Sequence, residues 1–186
     1  AEIQSLFKDL VSNVGPEDVF IFYYAGHGAM SVTADANLSE FYIMTHNVTN
    51  FYGEDILKQE GLSASELLEF SREISAQKQL FILDACHSGG ALNVLATRGA
   101  DEREKAIAQL ARNTGTFFLT ASQDFQYASE SGDLKHGLFT YALLEIINGD
   151  IASNHSGKDN KVTVNEMKTY VEERVPELSE KLHGSA

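Results

Sequence analysis

Two short segments of the sequence combine residue types that could carry out nucleophilic chemistry. The only cysteine of the chain, Cys86, follows the apolar run Leu80–Leu83 and comes shortly before two glycines. His27 follows a second apolar run, Val19–Tyr24, and lies between two glycines. A thiol becomes a useful nucleophile near neutral pH when a neighbouring histidine removes its proton or stabilises the thiolate. Cys86 and His27 therefore predict thiol-dependent covalent catalysis.

The two apolar runs are the elements that must bring these residues together. Short continuous apolar runs are typical of strands buried in a parallel sheet. Sites in open α/β sheets form at the carboxyl ends of strands, and both His27 and Cys86 follow such an end. Taken alone, Cys86 could be an inert core residue and His27 a hydrogen-bonded loop residue. Their occurrence together, each at a strand end, favours a site.

The rest of the chain alternates between helical and extended patterns. Apolar periodicity predicts helices at these places: residues 2–13, a segment capped by Ser63, about 101–113, Leu138–Asn148, an amphipathic segment after Val162–Val164, and a last short helix that Pro176 starts. Further strands are predicted at Phe41–Met44 and Thr116–Ala121, with irregular chain around the first of them. This order predicts an α/β fold, a three-layer sandwich with a mostly parallel central sheet and helices on both faces.

Composition narrows the class of protein. The 186 residues carry a formal net charge of −13, which argues against nucleic-acid binding because phosphate contacts need clustered Lys and Arg. That charge suits basic peptide substrates, and equally a plain solvated acidic surface. One cysteine forms no internal disulfide and no Cys/His cluster has zinc spacing, so no metal or other cofactor is expected. No apolar run approaches the ~18 residues of a membrane span, and a reducing, cytoplasmic setting fits best.

Three segments resemble motifs of the caspase-like cysteine peptidases, which include caspases, metacaspases and bacterial orthocaspases. Tyr24–Gly28 resembles their histidine motif, and Asp84–Gly89 resembles the metacaspase form of their cysteine motif. Ser122–Glu130 is similar to the segment that opens the small-subunit part. The likeness covers nearly the whole chain and implies the caspase–haemoglobinase fold in one domain, 1–186. It divides that domain into a large-subunit-like part (1–97), an intersubunit-like linker and helix (98–115) and a small-subunit-like part (116–186).

The resemblance also implies a role for each motif residue. Cys86 would attack the scissile carbonyl as a thiolate, and His27 would protonate the leaving amine. The backbone N–H groups of Gly28 and Cys86 would hold the oxyanion. Asp84 would bind an Arg or Lys at P1, the residue before the scissile bond, although it could instead cap backbone N–H groups at the strand end. The remaining substrate-binding candidates are Ser122, Asp124, Gln126 and Glu130.

The sequence departs from the family pattern in three places. Ala25 stands where metacaspases commonly have Ser, which removes one polar wall of the P1 pocket. The segment Ser63–Ser65 stands where calcium-dependent members have acidic residues, so no calcium site is expected. The family fold also begins with two strands and a helix that would precede Ala1. We therefore expect a preceding segment or a second chain to pair beside the Val19–Tyr24 strand.

The sequence as a whole predicts a cysteine endopeptidase that cleaves proteins or peptides after a basic residue. Two alternatives stay open. One is a related protease with a non-basic P1 preference that a partner protein switches on. The other is a pseudoenzyme or interaction module that keeps the fold in order to bind partners.

Overall fold

A computed structural model of the chain describes residues 2–31, 40–48, 54–87, 116–120, 136–149 and 161–183. The helices are α1 (Glu2–Asn13), α2 (Glu54–Glu60), α3 (Ala64–Glu73), α4 (Leu138–Asn148) and α5 (Val164–His183). The strands are β1 (Val19–Met30), β2 (Phe41–Ile43), β3 (Leu62–Ser63), β4 (Lys78–His87) and β5 (Thr116–Thr120). The helix and linker predicted within 98–115 lie outside the described residues. The chain forms two compact units, Ala1–Phe118 and Leu119–Ala186.

The strands form one sheet in the order β3-β2-β1-β4-β5. β1 and β4 run parallel and stay in register from the pair Val19 and Lys78 to the pair Gly28 and His87. β2 pairs antiparallel with the last residues of β1, and β3 pairs antiparallel with β2. The predicted α/β class is confirmed, with a parallel central pair. β3, at the antiparallel edge of the sheet, was not predicted, because a strand of two residues is too short to show a pattern in the sequence.

One face of the sheet is packed by α1 and α3. Alternate residues of the two central strands point to this side, and Phe20 and Phe81 are both buried there. Phe7 of α1 reaches the same cluster and stacks almost parallel on Phe70 of α3, with ring centroids 4.2 Å apart. The helix predicted for residues 2–13 is confirmed: Phe7 is buried, and Ile3 and Val11 pack against the same cluster. Leu6 and Leu10, on another side of the helix, are exposed.

On the other face of β1, two apolar side chains are exposed in the part of the chain that the structure describes. Val19 is 60% exposed and Ile21 is 58% exposed, although both are β-branched apolar residues. Leu80, the register partner of Ile21 on β4, is only 8% exposed. β1 is therefore apolar on both faces, and the described residues cover its first half on one of them. Among the residues described, no strand pairs with Val19–Phe22 on the β2 side, since the β2 pairing covers only Gly28–Met30.

The junction between α3 and β4 is fixed by polar side chains. Ser63 caps α3 and exchanges hydrogen bonds with Glu66, which confirms the predicted capping box. At the other end of α3, the buried Gln79 side chain accepts a 2.8 Å hydrogen bond from the Ser71 hydroxyl. The Gln79 amide nitrogen donates to three carbonyl oxygens, those of Ser71, Ile74 and Ala76. The carbonyls at the end of α3 and just beyond it are thereby satisfied as β4 begins.

The second unit contains the helices α4 and α5. Gly149 ends α4 in the left-handed conformation, with φ of 74°, as helices commonly end. α5 continues through Pro176, so the prediction that this proline starts a separate short helix is wrong. Proline fits the φ of a helix, and the buried Val175 and Leu178 hold the segment together on either side of it. No helix in the described part of the chain is both long and apolar enough to cross a membrane.

Candidate active site

The register of the two central strands brings the predicted pair together. His27 on β1 and Cys86 on β4 are direct register partners. Neighbouring strands lie about 4.8 Å apart, and residues in register on parallel strands share one face of the sheet. Two positions earlier, Ala25 and Asp84 are partners in the same way. The backbone thus places the positions of His27 and Cys86 side by side near the ends of the two central strands.

The backbone at His27 is held from one side by Tyr24 and Met44. The carbonyl oxygen of His27 accepts a hydrogen bond from the Tyr24 hydroxyl at 2.8 Å and one from the Met44 N–H at 3.0 Å. The same hydroxyl lies 2.8 Å from the Met44 carbonyl oxygen. Burial raises the pKa of Tyr24 above its ordinary value, so the hydroxyl keeps its proton and remains a donor at neutral pH.

The glycines on both sides of His27 leave room for aromatic rings. A Cβ atom on Gly26 would lie 2.6 Å from the Tyr24 hydroxyl oxygen. A Cβ atom on Gly28 would lie 2.5 Å from the ring of Phe41 on β2. These distances are shorter than van der Waals contact, so each glycine is needed for close approach of a ring. The Gly-His-Gly pattern therefore has a packing cause in this structure.

Of the predicted substrate-binding residues, the structure describes Asp84. Asp84 is half-buried on β4, in register with Ala25 and two positions before Cys86, the register partner of His27. The other predicted residues lie outside the described part of the chain: Ser122, Asp124, Gln126 and Glu130. The described residues also contain no group of three or more His, Cys, Asp and Glu side chains that could hold a metal ion.

Sequence reasoning identified His27 and Cys86 but missed the residues that support them. In the sequence, Tyr24 is only the last residue of an apolar run, whereas in the structure its hydroxyl donates a hydrogen bond to the His27 carbonyl. Met44 and Phe41 come from the segment around β2, where the sequence pattern was weak. One signal was available for Tyr24: a tyrosine two residues before a strand glycine has space to lean along the strand across it.

Two comparisons relate the chain to known proteins. The family model of the caspase domain, peptidase family C14, matches residues 1–185. The crystal structure of protein GSU0716 from Geobacter sulfurreducens is similar with a TM-score of 0.54 and 16% sequence identity. That match covers 93% of this chain and 68% of the other, and at this identity it indicates the fold alone. A search of curated proteins finds no match.

Proposed function

The chain belongs to the caspase-domain family of peptidases, and on this premise we propose that it is a cysteine endopeptidase with Cys86 as nucleophile and His27 as acid–base partner. The observation that carries the proposal is the register of β1 and β4, which makes these two residues neighbours. The family supports a cysteine-type peptidase acting on protein substrates. The assignment of the two residues is our own step.

The proposed reaction has two halves, acylation of Cys86 and hydrolysis of the acyl-enzyme, and His27 transfers a proton in each. The Cys86 thiolate attacks the scissile carbonyl carbon, and the resulting oxyanion accepts hydrogen bonds from the backbone N–H groups of Gly28 and Cys86. His27 then donates a proton to the leaving amine, which departs and leaves an acyl-enzyme. His27 next removes a proton from a water molecule, whose hydroxide attacks the thioester. Collapse of that second intermediate releases the acid product and restores the thiolate.

Substitution of the two residues tests this reaction. Cys86→Ala and His27→Ala are each expected to abolish peptide turnover with the fold intact, and the double variant should be little worse than either. The matched control is His46→Ala, because His46 is an exposed histidine in the same unit. Turnover by Cys86→Ala would contradict the mechanism. A native chain that neither cleaves peptides nor reacts with a thiol probe in a His27-dependent way would indicate an interaction module.

We further propose that the P1 preference is for Arg or Lys. Asp84 supports this, because it lies on the face and in the register of the His27 and Cys86 positions and is half-buried. A carboxylate in such a place attracts a cationic side chain through a charge-assisted hydrogen bond. The resemblance to metacaspases and orthocaspases points the same way and adds four pocket candidates: Ser122, Asp124, Gln126 and Glu130.

A reducing compartment, such as the cytoplasm, suits this reaction. The proposed nucleophile must be a free thiol, and an oxidising compartment favours loss of that thiol to mixed disulfides or higher oxidation states. Labelling of Cys86 by a thiol-reactive probe in intact cells would support the assignment. Recovery of Cys86 only in an oxidised form would count against it.

We also propose that an extended polypeptide segment adds to β1 beside Val19–Phe22. Support comes from the exposed Val19 and Ile21, and from the absence of a pairing strand on that side among the described residues. Leu6 and Leu10 of α1 are exposed as well and share one side of that helix, since they are four residues apart. A segment with alternating apolar side chains would pair with the edge of β1 and cover this surface.

Self-association of the 186-residue chain tests this proposal. An apolar sheet edge pairs with other copies, so the chain alone should associate with rising concentration. Ile21→Lys should reduce that association, because a lysine at an edge opposes strand pairing. The control is Ile147→Lys, since Ile147 is 56% exposed but lies on α4. A monomeric, cooperatively folding and active chain would show that no added strand is needed.

A further inference from the structure

The carbonyl oxygen of His27 is held by two donors that come from different parts of the chain. It accepts a 2.8 Å hydrogen bond from the Tyr24 hydroxyl and a 3.0 Å hydrogen bond from the Met44 N–H. Because Met44 directly follows β2, this carbonyl points towards β2 and away from β4. The parallel ladder with β4 therefore does not fix its direction, and the two donors do.

His27 also lies where the pairing of β1 with β2 ends. The last register pair of these two strands in this direction is Gly28 with Ile43. Among the described residues, no strand pairs with β1 on this side before His27. The end of a ladder opens more readily than its middle. The Tyr24 hydroxyl strengthens this end, since it also lies 2.8 Å from the Met44 carbonyl oxygen and so bridges the two chain segments.

The direction of the His27 carbonyl is coupled to the direction of the His27 side chain. Both groups branch from the same tetrahedral Cα, so a backbone motion that turns the carbonyl also turns the Cα–Cβ bond and the imidazole with it. The register partner of His27 is Cys86. Proton transfer between the two side chains needs an approach of about 2.6–3.2 Å between heavy atoms. A loosely held His27 backbone would therefore spend less time in the productive geometry.

We infer that Tyr24 is a positioning residue for the proposed acid–base partner: by holding the His27 carbonyl, it keeps the imidazole directed at the Cys86 position. The inference rests on the proposed peptidase function. Side chains alternate between the two faces of a strand, so Tyr24 and His27 lie on opposite faces of β1. The hydroxyl therefore acts through the backbone of His27 and not through a contact with its ring.

Gly26 gives the Tyr24 ring the space for this contact. The ring leans along β1 across Gly26, and a Cβ there would approach the hydroxyl oxygen to 2.6 Å and Cζ to 2.9 Å. The absence of that one side chain explains how a tyrosine reaches a carbonyl three residues further along the same strand.

Tyr24→Phe tests the inference, because it keeps the ring and removes the hydroxyl. We expect kcat for a peptide substrate to fall about three- to tenfold, since one hydrogen bond that holds the His27 backbone is lost, with KM within about twofold. Alkylation of Cys86 by iodoacetamide at about pH 6 should slow by the same factor, because a thiol forms much thiolate at that pH only beside a stabilising histidine. At about pH 10, where a thiol ionises without help, the rate should stay unchanged.

The His27→Ala background shows whether Tyr24 acts through His27. In that background, Tyr24→Phe should leave the alkylation rate at about pH 6 unchanged, because the hydroxyl then has no imidazole to position. A further fall of the rate in the double variant would contradict the inference, since Tyr24 would then act on Cys86 by another route.

The matched control is Tyr42→Phe. Tyr42 is a buried tyrosine on the neighbouring strand β2, and its hydroxyl donates to the Glu40 carboxylate at 3.4 Å. This variant should keep both kcat and the alkylation rate at about pH 6. An equal loss of kcat in Tyr24→Phe and Tyr42→Phe would reveal a general packing effect and contradict the role of Tyr24.

Hydrogen exchange separates failure of this inference from failure of the proposed function. The Met44 amide donates to the His27 carbonyl and should exchange about three- to tenfold faster in Tyr24→Phe, because this end of the ladder is then less restrained. Amides in the early part of the β1–β4 ladder should keep their rates. A native chain without peptidase activity would reject the function, and the exchange rate of Met44 would still decide whether Tyr24 holds the His27 backbone. An unchanged rate at Met44 would reject the inference in either case.

Discussion

At the scale of single residues, the side chain that most directly bears on substrate choice is Asp84. It is in register with Ala25, whose methyl group adds no charge or hydrogen bond to that part of the sheet. Asp84→Asn should lower kcat/KM for P1-Arg peptides at least ~10-fold, because a partly buried ion pair is lost. Peptide libraries that vary P1 provide the measurement.

The control for this substitution is Asp55→Asn on α2, which removes the same charge from an exposed position. It should leave kcat/KM unchanged. Equal cleavage of peptides with Arg, Leu and Asp at P1 by the native protein would count against the role of Asp84. It would favour the alternative of a related protease with a non-basic P1 preference that a partner protein switches on.

A second residue-scale prediction concerns Gly26. Gly26→Ala places a Cβ 2.6 Å from the Tyr24 hydroxyl oxygen, so the ring must move away from the His27 carbonyl. We expect kcat to fall about three- to tenfold, because the His27 backbone loses one hydrogen bond, with a cost of about 1–3 kcal/mol in stability from the forced shift.

Gly15→Ala is the control for that experiment, since the nearest atom to its new Cβ beyond the adjacent residues would be an Asp18 carboxylate oxygen at 3.6 Å. It should leave kcat and the melting temperature close to native. A fully active Gly26→Ala variant would show that the Tyr24 ring is free to rearrange without cost to the site.

At the scale of elements, α4 and α5 are joined by a polar cluster. Arg174 forms a two-pronged pair with Glu145, with nitrogen–oxygen distances of 2.7 and 2.8 Å, and Tyr170 donates to the same carboxylate at 2.9 Å. Glu145→Gln should lower the free energy of unfolding by about 1–3 kcal/mol, as for hydrogen bonds to a charged group. Glu177→Gln is the control, because Glu177 also contacts Arg174 but is exposed. Chemical denaturation compares the two; equal losses would contradict a special role for Glu145.

The same cluster predicts how stability depends on pH. Hydrogen bonding from Arg174 lowers the pKa of Glu145 below its ordinary value, and burial of Tyr170, with Glu145 beside it, raises the pKa of the phenol to about 12. A lowered carboxylate pKa gives stability that is present above the ordinary pKa near 4.5 and is lost as pH falls through the folded-state value. Native protein should therefore lose more stability than Glu145→Gln on acidification below about pH 4.5. Parallel pH dependences in the two proteins would contradict this.

Elements with long periodic patterns were predictable, and those made by local contacts were not. The sequence predicts α1 and α4 from their apolar stripes, and β1 and β4 from their continuous apolar runs. α2 and β3 are seven and two residues long, too short for a period to be read, and they form by pairing and packing with β2. The prediction at Pro176 was wrong because a helix that is packed on both sides of a proline tolerates the proline.

At the scale of the whole molecule, the net charge of −13 should act on substrate encounter. A strongly acidic protein attracts cationic peptides over distances that salt screens. We expect kcat/KM for a P1-Arg peptide of high positive charge to fall at least about twofold between low and high salt, and that for a neutral peptide to change less. Initial rates over a series of NaCl concentrations measure this. Equal salt dependence of both peptides would show that the acidic surface does not steer substrate.

At the candidate site, the sequence indicated the pairing of His27 with Cys86 but gave little sign of the residues that support the His27 backbone. His27 and Cys86 follow the ends of two apolar runs, a pattern that the sequence shows directly. The contacts of Tyr24, Met44 and Phe41 depend on how β2 returns along the last residues of β1, a pairing of only three residues. Such short antiparallel pairing has no period in the sequence, so its consequences appear only in three dimensions.

The buried Gln79 has one further consequence. Side chains alternate between the two faces of a strand, so a slip of one residue in β4 would exchange every position, Cys86 included. Gln79 makes its four hydrogen bonds to the end of α3 in one alignment, and any slip would leave a buried amide unsatisfied. The register of β4 is thereby fixed at the buried beginning of the strand. The contacts of Gln79 therefore help to determine that Cys86 is the neighbour of His27 on β1.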